Sequence, residues 1–141
     1  MTKIKIHKYL FLFENLTISN LNKFDDLIDE KIIFADPFNK IKGKEHFKKL
    51  FKSTLTILEN PKFKILAVSY VKNVHFVKWK MEFKAFNKKQ KIIGLSEIKT
   101  NKYGLISEHF DYWDSFNDFY IKLPFFGKIL KIFSKFVKTK V

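Results

Sequence analysis

Val77-Lys78-Trp79-Lys80-Met81-Glu82-Phe83-Lys84-Ala85, residues 77–85, alternates apolar and charged side chains without a break. A period of two sets Val77, Trp79, Met81, Phe83 and Ala85 on one face and the charges on the other, as in a strand with one side covered and one side wet. The same period continues on either side, in Phe63 to Val71, Val74 to Phe86, Lys91 to Thr100 and Leu105 to Asp114. The gaps between these runs, Lys72-Asn73, Asn87 to Gln90 and Asn101 to Gly104, are short and polar, which makes antiparallel hairpins the natural joints. One face of the resulting sheet must be covered.

The cover comes from the N-terminal side, where the period is helical. Ile6, Tyr9, Leu10, Phe13 and Leu16 recur at three and four over Ile4 to Leu16, with Phe11 and Leu12 widening the stripe. Ser19 can cap a second helix carrying Leu21, Phe24 and Ile28. Lys31 to Ala35 reads as an early strand, closed by Asp36-Pro37 because proline forces its predecessor into extended geometry. A third helix opens at Gly43 and runs to about Leu58, with Phe47, Leu50, Phe51, Leu55 and Leu58 in one stripe, and Asn60-Pro61 ends it. Asp118 to Lys138 is helical again, broken at Leu123-Pro124 and Gly127, with Phe and Ile on one face and Lys on another. The elements add up to an α+β fold: a cone-shaped, curved antiparallel or mixed sheet around N-terminal helices, with a C-terminal amphipathic helix. Residues 1–117 form the cone, and residues 118–141 form a basic helix belonging to the same domain.

A chain of 141 residues and 16.9 kDa suits one domain. It has no cysteine, which excludes disulfides, thiolate metal sites and thiol nucleophiles. No apolar run approaches the ~18 residues of a membrane span. Tyr9 to Phe13 is too short for a secretory leader and has no small-residue cleavage site behind it, so a cytoplasmic location is expected. The net charge of +14 suggests nucleic acid until its source is examined: all 28 basic residues are Lys. Without the guanidinium fork of Arg, specific phosphate and guanine recognition loses its main tool, so nucleic acid is not the expected partner. The charge is also unevenly spread. Residues 106–118 hold 4 acids and no Lys, whereas residues 119–141 hold 6 Lys and no acid.

With the order of elements, the strand end Phe34-Ala35-Asp36-Pro37-Phe38, the turn Tyr103-Gly104-Leu105-Ile106 and the last strand His109-Phe110-Asp111-Tyr112-Trp113-Asp114, the chain resembles the nuclear transport factor 2 superfamily. Within it the likeness is to SnoaL-like proteins and, more distantly, to ketosteroid isomerase, over about residues 5–117; Leu123-Pro124-Phe125-Phe126-Gly127 is similar to SnoaL-like tails. The resemblance implies a cystatin-like cone around an apolar pocket, and often a homodimer. It puts Asp36 at the position of the isomerase's general base. It puts Leu12 and Ile93 at the positions of the isomerase's oxyanion donors, and neither can donate a hydrogen bond. Losing one such donor typically costs several kcal/mol of barrier, so steroid isomerisation by that mechanism is not expected.

Parity in the last strand places His109, Asp111 and Trp113 on one face. By resemblance that face is concave, so His109 and Asp111 would enter the same cavity as Asp36. A carboxylate inside an aromatic cone needs a donor, and a neighbouring His both supplies one and moves protons near neutral pH. Asp36, His109 and Asp111 are therefore the candidate acid/base residues, and Trp79, Trp113, Tyr9, Leu12 and Ile93 the candidate ligand contacts. The plainer readings are a turn-capping Asp36, a structural His–Asp bridge, core tryptophans and a helix-packing Tyr9. His7, His46 and His75 lack ligand spacing, and no metal or cofactor is expected. Two function classes follow. One is a small-molecule binder, extended to a cofactor-independent acid/base isomerase, cyclase or hydratase; the other is a non-catalytic binding module on the same fold. The Lys-rich last helix either closes its Phe row over the mouth of the cone as a lid, the simpler arrangement, or lies on an anionic membrane surface.

Overall fold

A computed structural model describes residues 2–85 and 87–139, the side chains of residues 2–4 excepted. Helix α1 (Thr2–Glu14) is followed by a 3-10 helix (Ile18–Phe24), strands β1 (Ile28–Ala35) and β2 (Lys40–Lys42), and helix α2 (Lys44–Ile57). Four long strands come next, β3 (Glu59–Val71), β4 (Val74–Ala85), β5 (Lys88–Thr100) and β6 (Ile106–Trp113). The chain ends in a short helix α3 (Ser115–Asp118), a 3-10 turn (Tyr120–Lys122) and helix α4 (Phe126–Val137). The α+β class expected from the periodicities is the one found. The second helix is 3-10 rather than α, β2 was not foreseen, and Phe86, expected at the end of β4, lies outside the described residues.

All six strands form one sheet in the order β2-β1-β6-β5-β4-β3. The β3–β4, β4–β5 and β5–β6 pairs are antiparallel hairpin neighbours, while β1 runs parallel to β6, which makes the sheet mixed. That parallel pairing sets Phe34 opposite His109 and so brings the early strand to the last one. In β3 the register shifts between Ile65 and Ala67, and the Ile65 N–H, at that bulge, donates to Glu14 Oε1 at 2.9 Å. The end of α1 is thus tied to the sheet.

The interior of the cone is full. Tyr9, Phe13, Phe24, Phe34, Phe47 and Phe51 are all buried, and their rings interlock mostly edge to face, with neighbouring centroids 4.8–6.5 Å apart. Aromatic pairs of this geometry add to the area they bury, so α1, the 3-10 helix, α2 and β1 are clamped together by one ring cluster. The cone is therefore mostly core, where an apolar pocket was expected.

Candidate acid–base site

A small gap lies beside the cluster. Its volume is about 20 Å³, and Phe13, Trp79, Ser96, His109 and Asp111 line it, with half-buried Phe63 and Ile65 at its rim. That is room for little more than one water molecule.

Strand register explains why polar groups meet there. Ser96 on β5 stands opposite Asp111 on β6, Ile98 stands opposite His109, and Val77 on β4 stands opposite Ser96. All three polar side chains share the inward parity. His109 Nε2 lies 2.9 Å from Asp111 Oδ1 and 3.1 Å from Ser96 Oγ. Ser96 donates its hydroxyl to the same Asp111 oxygen and accepts the Trp79 indole N–H at 2.8 Å. On the far side of the imidazole, Tyr9 Oη lies 2.7 Å from His109 Nδ1.

Tyr9 is completely buried, and desolvation, reinforced by the negative charge of Asp111, holds its phenol pKa well above the usual 10.0. Tyr9 therefore keeps its proton; in the tautomer that carries the imidazole N–H on Nε2, the phenol donates to His109 Nδ1 and Nε2–H donates to Asp111. Asp111 Oδ1 collects two donors, while Oδ2 has no hydrogen bond among the described residues. A carboxylate held at one oxygen keeps the other available to accept a proton.

The remaining candidates are elsewhere. Asp36 does not line the gap. Its Oδ1 accepts the backbone N–H groups of Phe38 (2.8 Å) and Asn39 (2.7 Å), and Asn39 Nδ2 reaches both carboxylate oxygens. The expectation that Asp36 shares a cavity with His109 is corrected: donors two and three residues ahead capture it in a turn. Trp113 also leaves the gap, packing edge-on against Phe38 with centroids 5.4 Å apart. Leu12 is buried in the core, and Ile93 points outward from the sheet, 44% exposed, because its neighbours Ile92 and Gly94 take the inward positions. Tyr9 touches His109 rather than the gap itself. The Phe row of α4 does not close over the cone but faces solvent, so it is not a lid.

Sequence reasoning missed Ser96, the hub of the network. The signal was available: Ser96 is a hydroxyl set between Gly94 and Ile98 on the inward parity of β5. Gly94 was missed too. Trp79 lies across it so closely that an added Cβ would sit 2.3 Å from the indole. Among the described residues, no group of three or more His, Cys, Asp or Glu is placed to hold a metal ion, and no helix is long and apolar enough to cross a membrane.

Several solved structures share this architecture. A LEH-like epoxide hydrolase from M. tuberculosis aligns with a TM-score of 0.68 at 13% identity, covering 84% of this chain and 86% of that one. A protein of the SnoaL-like family from Agrobacterium tumefaciens gives 0.66 at 12%, covering 79% and 95%. A protein with a ketosteroid isomerase-like fold from Catenulispora acidiphila, in complex with trimethylamine, gives 0.68 at 12%, covering 78% and 85%. At such identities the likeness establishes the fold, which is NTF2-like, as the resemblance implied. Among curated proteins none matches the chain. A family model described as an uncharacterized conserved protein, DUF2358, matches residues 8–109, from α1 through His109, and the chain belongs to that NTF2-like family.

Proposed function

We propose that the protein binds a small, largely apolar molecule at the Asp111 gap and moves a proton there without a cofactor, in a reaction of the isomerase, cyclase or hydratase type. In this reading Asp111 Oδ2 is the base, His109 and Ser96 hold and polarise the carboxylate, Tyr9 fixes the imidazole tautomer, and Trp79 and Phe63 bound the substrate. The observation that carries it is the asymmetry of Asp111, with both donors on Oδ1 and none on Oδ2. The NTF2-like fold supports it, since one neighbour is an epoxide hydrolase and another is in complex with trimethylamine. As it stands the gap admits little more than a water, so the substrate enters as Trp79 or Phe63 swings aside.

The test is turnover by the full chain on a panel of small ketones and epoxides. Asp111→Asn is expected to lose roughly 10²–10⁴-fold in rate while Asp36→Asn stays at wild type. Turnover undiminished by Asp111→Asn, or no turnover on any member, overturns the proposal. A second reading is favoured by the ring-filled cone: a non-catalytic binding module whose buried polar network is scaffold. It predicts that Asp111→Asn lowers the melting temperature while no substrate is consumed.

The resemblance to a dimer-forming superfamily carries one more proposal. Leu95 and Tyr112, paired across β5 and β6, are exposed with Ile93 on the outer face of the sheet, and a second copy would cover them.

A further inference from the structure

Helix α4 is oriented against expectation. At 3.6 residues per turn its apolar side chains fall within an arc of about 160°, and Gly127, Lys128, Lys131, Ser134, Lys135 and Lys138 fill an opposite arc of about 120°. A surface helix normally turns its apolar arc toward its own domain. Here the buried residue is Gly127, and Leu130 and Ser134 are half-buried, so the helix docks by a narrow edge against the preceding Tyr120–Lys122 turn. The seat is tight: a Cβ on Gly127 would lie 2.1 Å from the Ile121 carbonyl oxygen. Phe126, Ile129, Ile132, Phe133, Phe136 and Val137 are left facing solvent, each 51–83% exposed. Just before them Phe125, 84% exposed, holds a φ of 64°, a region bulky residues rarely adopt.

From this orientation and from the charge, we propose that α4 lies in the plane of an anionic lipid surface, with the Phe row in the acyl boundary and the lysines at the headgroups. Charge selects the occupant. Residues 119–141 carry 6 Lys and no acid. A second copy docking through this face would set like charges side by side, whereas an anionic bilayer meets both arcs at once. The helix is about 18 Å long, well short of the ~30 Å hydrocarbon core, so it lies in the interface rather than spanning it. Gly127 then serves to hold the apolar arc away from the domain.

The test is flotation of the full chain with vesicles of phosphatidylcholine and phosphatidylserine at 7:3, beside vesicles of phosphatidylcholine alone. Binding is expected to the anionic vesicles, to weaken with added salt, and to fall at least tenfold in Phe133→Asp/Phe136→Asp. Lys128→Gln/Lys131→Gln/Lys135→Gln should lower it by about a hundredfold, at roughly 1 kcal/mol per surface lysine. Because these side chains are exposed, circular dichroism should show the fold unchanged. Phe133→Trp gives an independent reading, with emission expected to shift to the blue on anionic vesicles alone. The idea is overturned if anionic vesicles do not bind the wild type, or if the Phe variant binds equally. It is equally overturned if the wild type is a dimer that the same Phe substitutions make monomeric, since a second copy then covers the face.

Discussion

Replacing Gly94 with alanine adds one carbon at the tightest point beside the site. Gly94 is not among the residues with positive φ, so its backbone accepts alanine and any cost must be steric. The new Cβ would meet three indole carbons of Trp79 at 2.3, 2.6 and 2.8 Å. Carbon contacts settle at about 3.5–4.0 Å, so the ring must retreat by roughly 1.2 Å. It cannot slide freely, because its N–H is held by Ser96 Oγ at 2.8 Å and its edge faces Phe63 with centroids 6.3 Å apart. Overpacking of this kind costs about 1–3 kcal/mol, and the strained or lost hydrogen bond adds about 1. A total near 2–4 kcal/mol leaves the protein folded but lowers its melting temperature by about 5–15 °C. Thermal unfolding followed by circular dichroism reads the stability, and Trp emission in a Trp113→Phe background reads the displaced indole. The clash is isolated by a double-mutant cycle with Trp79→Val, in which Gly94→Ala should become nearly neutral. If Gly94→Ala changes neither melting temperature nor emission, or costs as much without the indole as with it, the steric reasoning fails.

Three further outcomes follow from other parts of the molecule. Because the Tyr9 phenol is held protonated above its usual 10.0, the stability it contributes is complete below that pH and is lost as the pH rises toward the folded value. Urea unfolding between pH 8 and 11 should show the wild-type advantage over Tyr9→Phe shrinking at the alkaline end; a constant gap contradicts this. His75 behaves in the opposite sense: burial, helped by nearby His7 and opposed by a backbone bond to Ile98, lowers its pKa from the usual 6.5. Its contribution is present above that value and lost as the pH falls through the folded one, so His75→Phe should flatten the acid limb of a stability–pH curve, and an unchanged limb refutes the assignment. Leu95→Lys should turn any dimer into a monomer by sedimentation without altering the melting of the monomer; an unaffected dimer moves the interface elsewhere.

The sheet was legible in the sequence because its strands are long and one-sided. Alternation around Trp79 survives any local preference, and hairpin gaps of two to four residues leave few ways to connect the runs. Lys40–Lys42 escaped because three residues at a sheet edge, none fully buried, carry no period. Ile18–Phe24 was misread as an α-helix because Leu21 and Phe24, three apart, satisfy both geometries. Parity placed His109 and Asp111 together, since a strand offers only two faces. Asp36 was misplaced by its resemblance to a catalytic position, whereas nearby N–H groups compete for its carboxylate at contact range. The filling of the cone was out of reach: phenylalanines on α1, the 3-10 helix, β1 and α2 each announce a buried face, but only tertiary packing decides whether they meet or surround a hollow.

That crowd of rings has a consequence for how the scaffold can change. A guest and the protein's own phenyls compete for the same volume, so trimming a single ring, Phe13→Ala for example, opens a chamber directly against the Asp111 carboxylate. Engineered voids of that kind admit benzene-sized visitors. Selectivity in such a host would be graded ring by ring, and a chain that today admits almost nothing sits one substitution from accommodating an aromatic molecule.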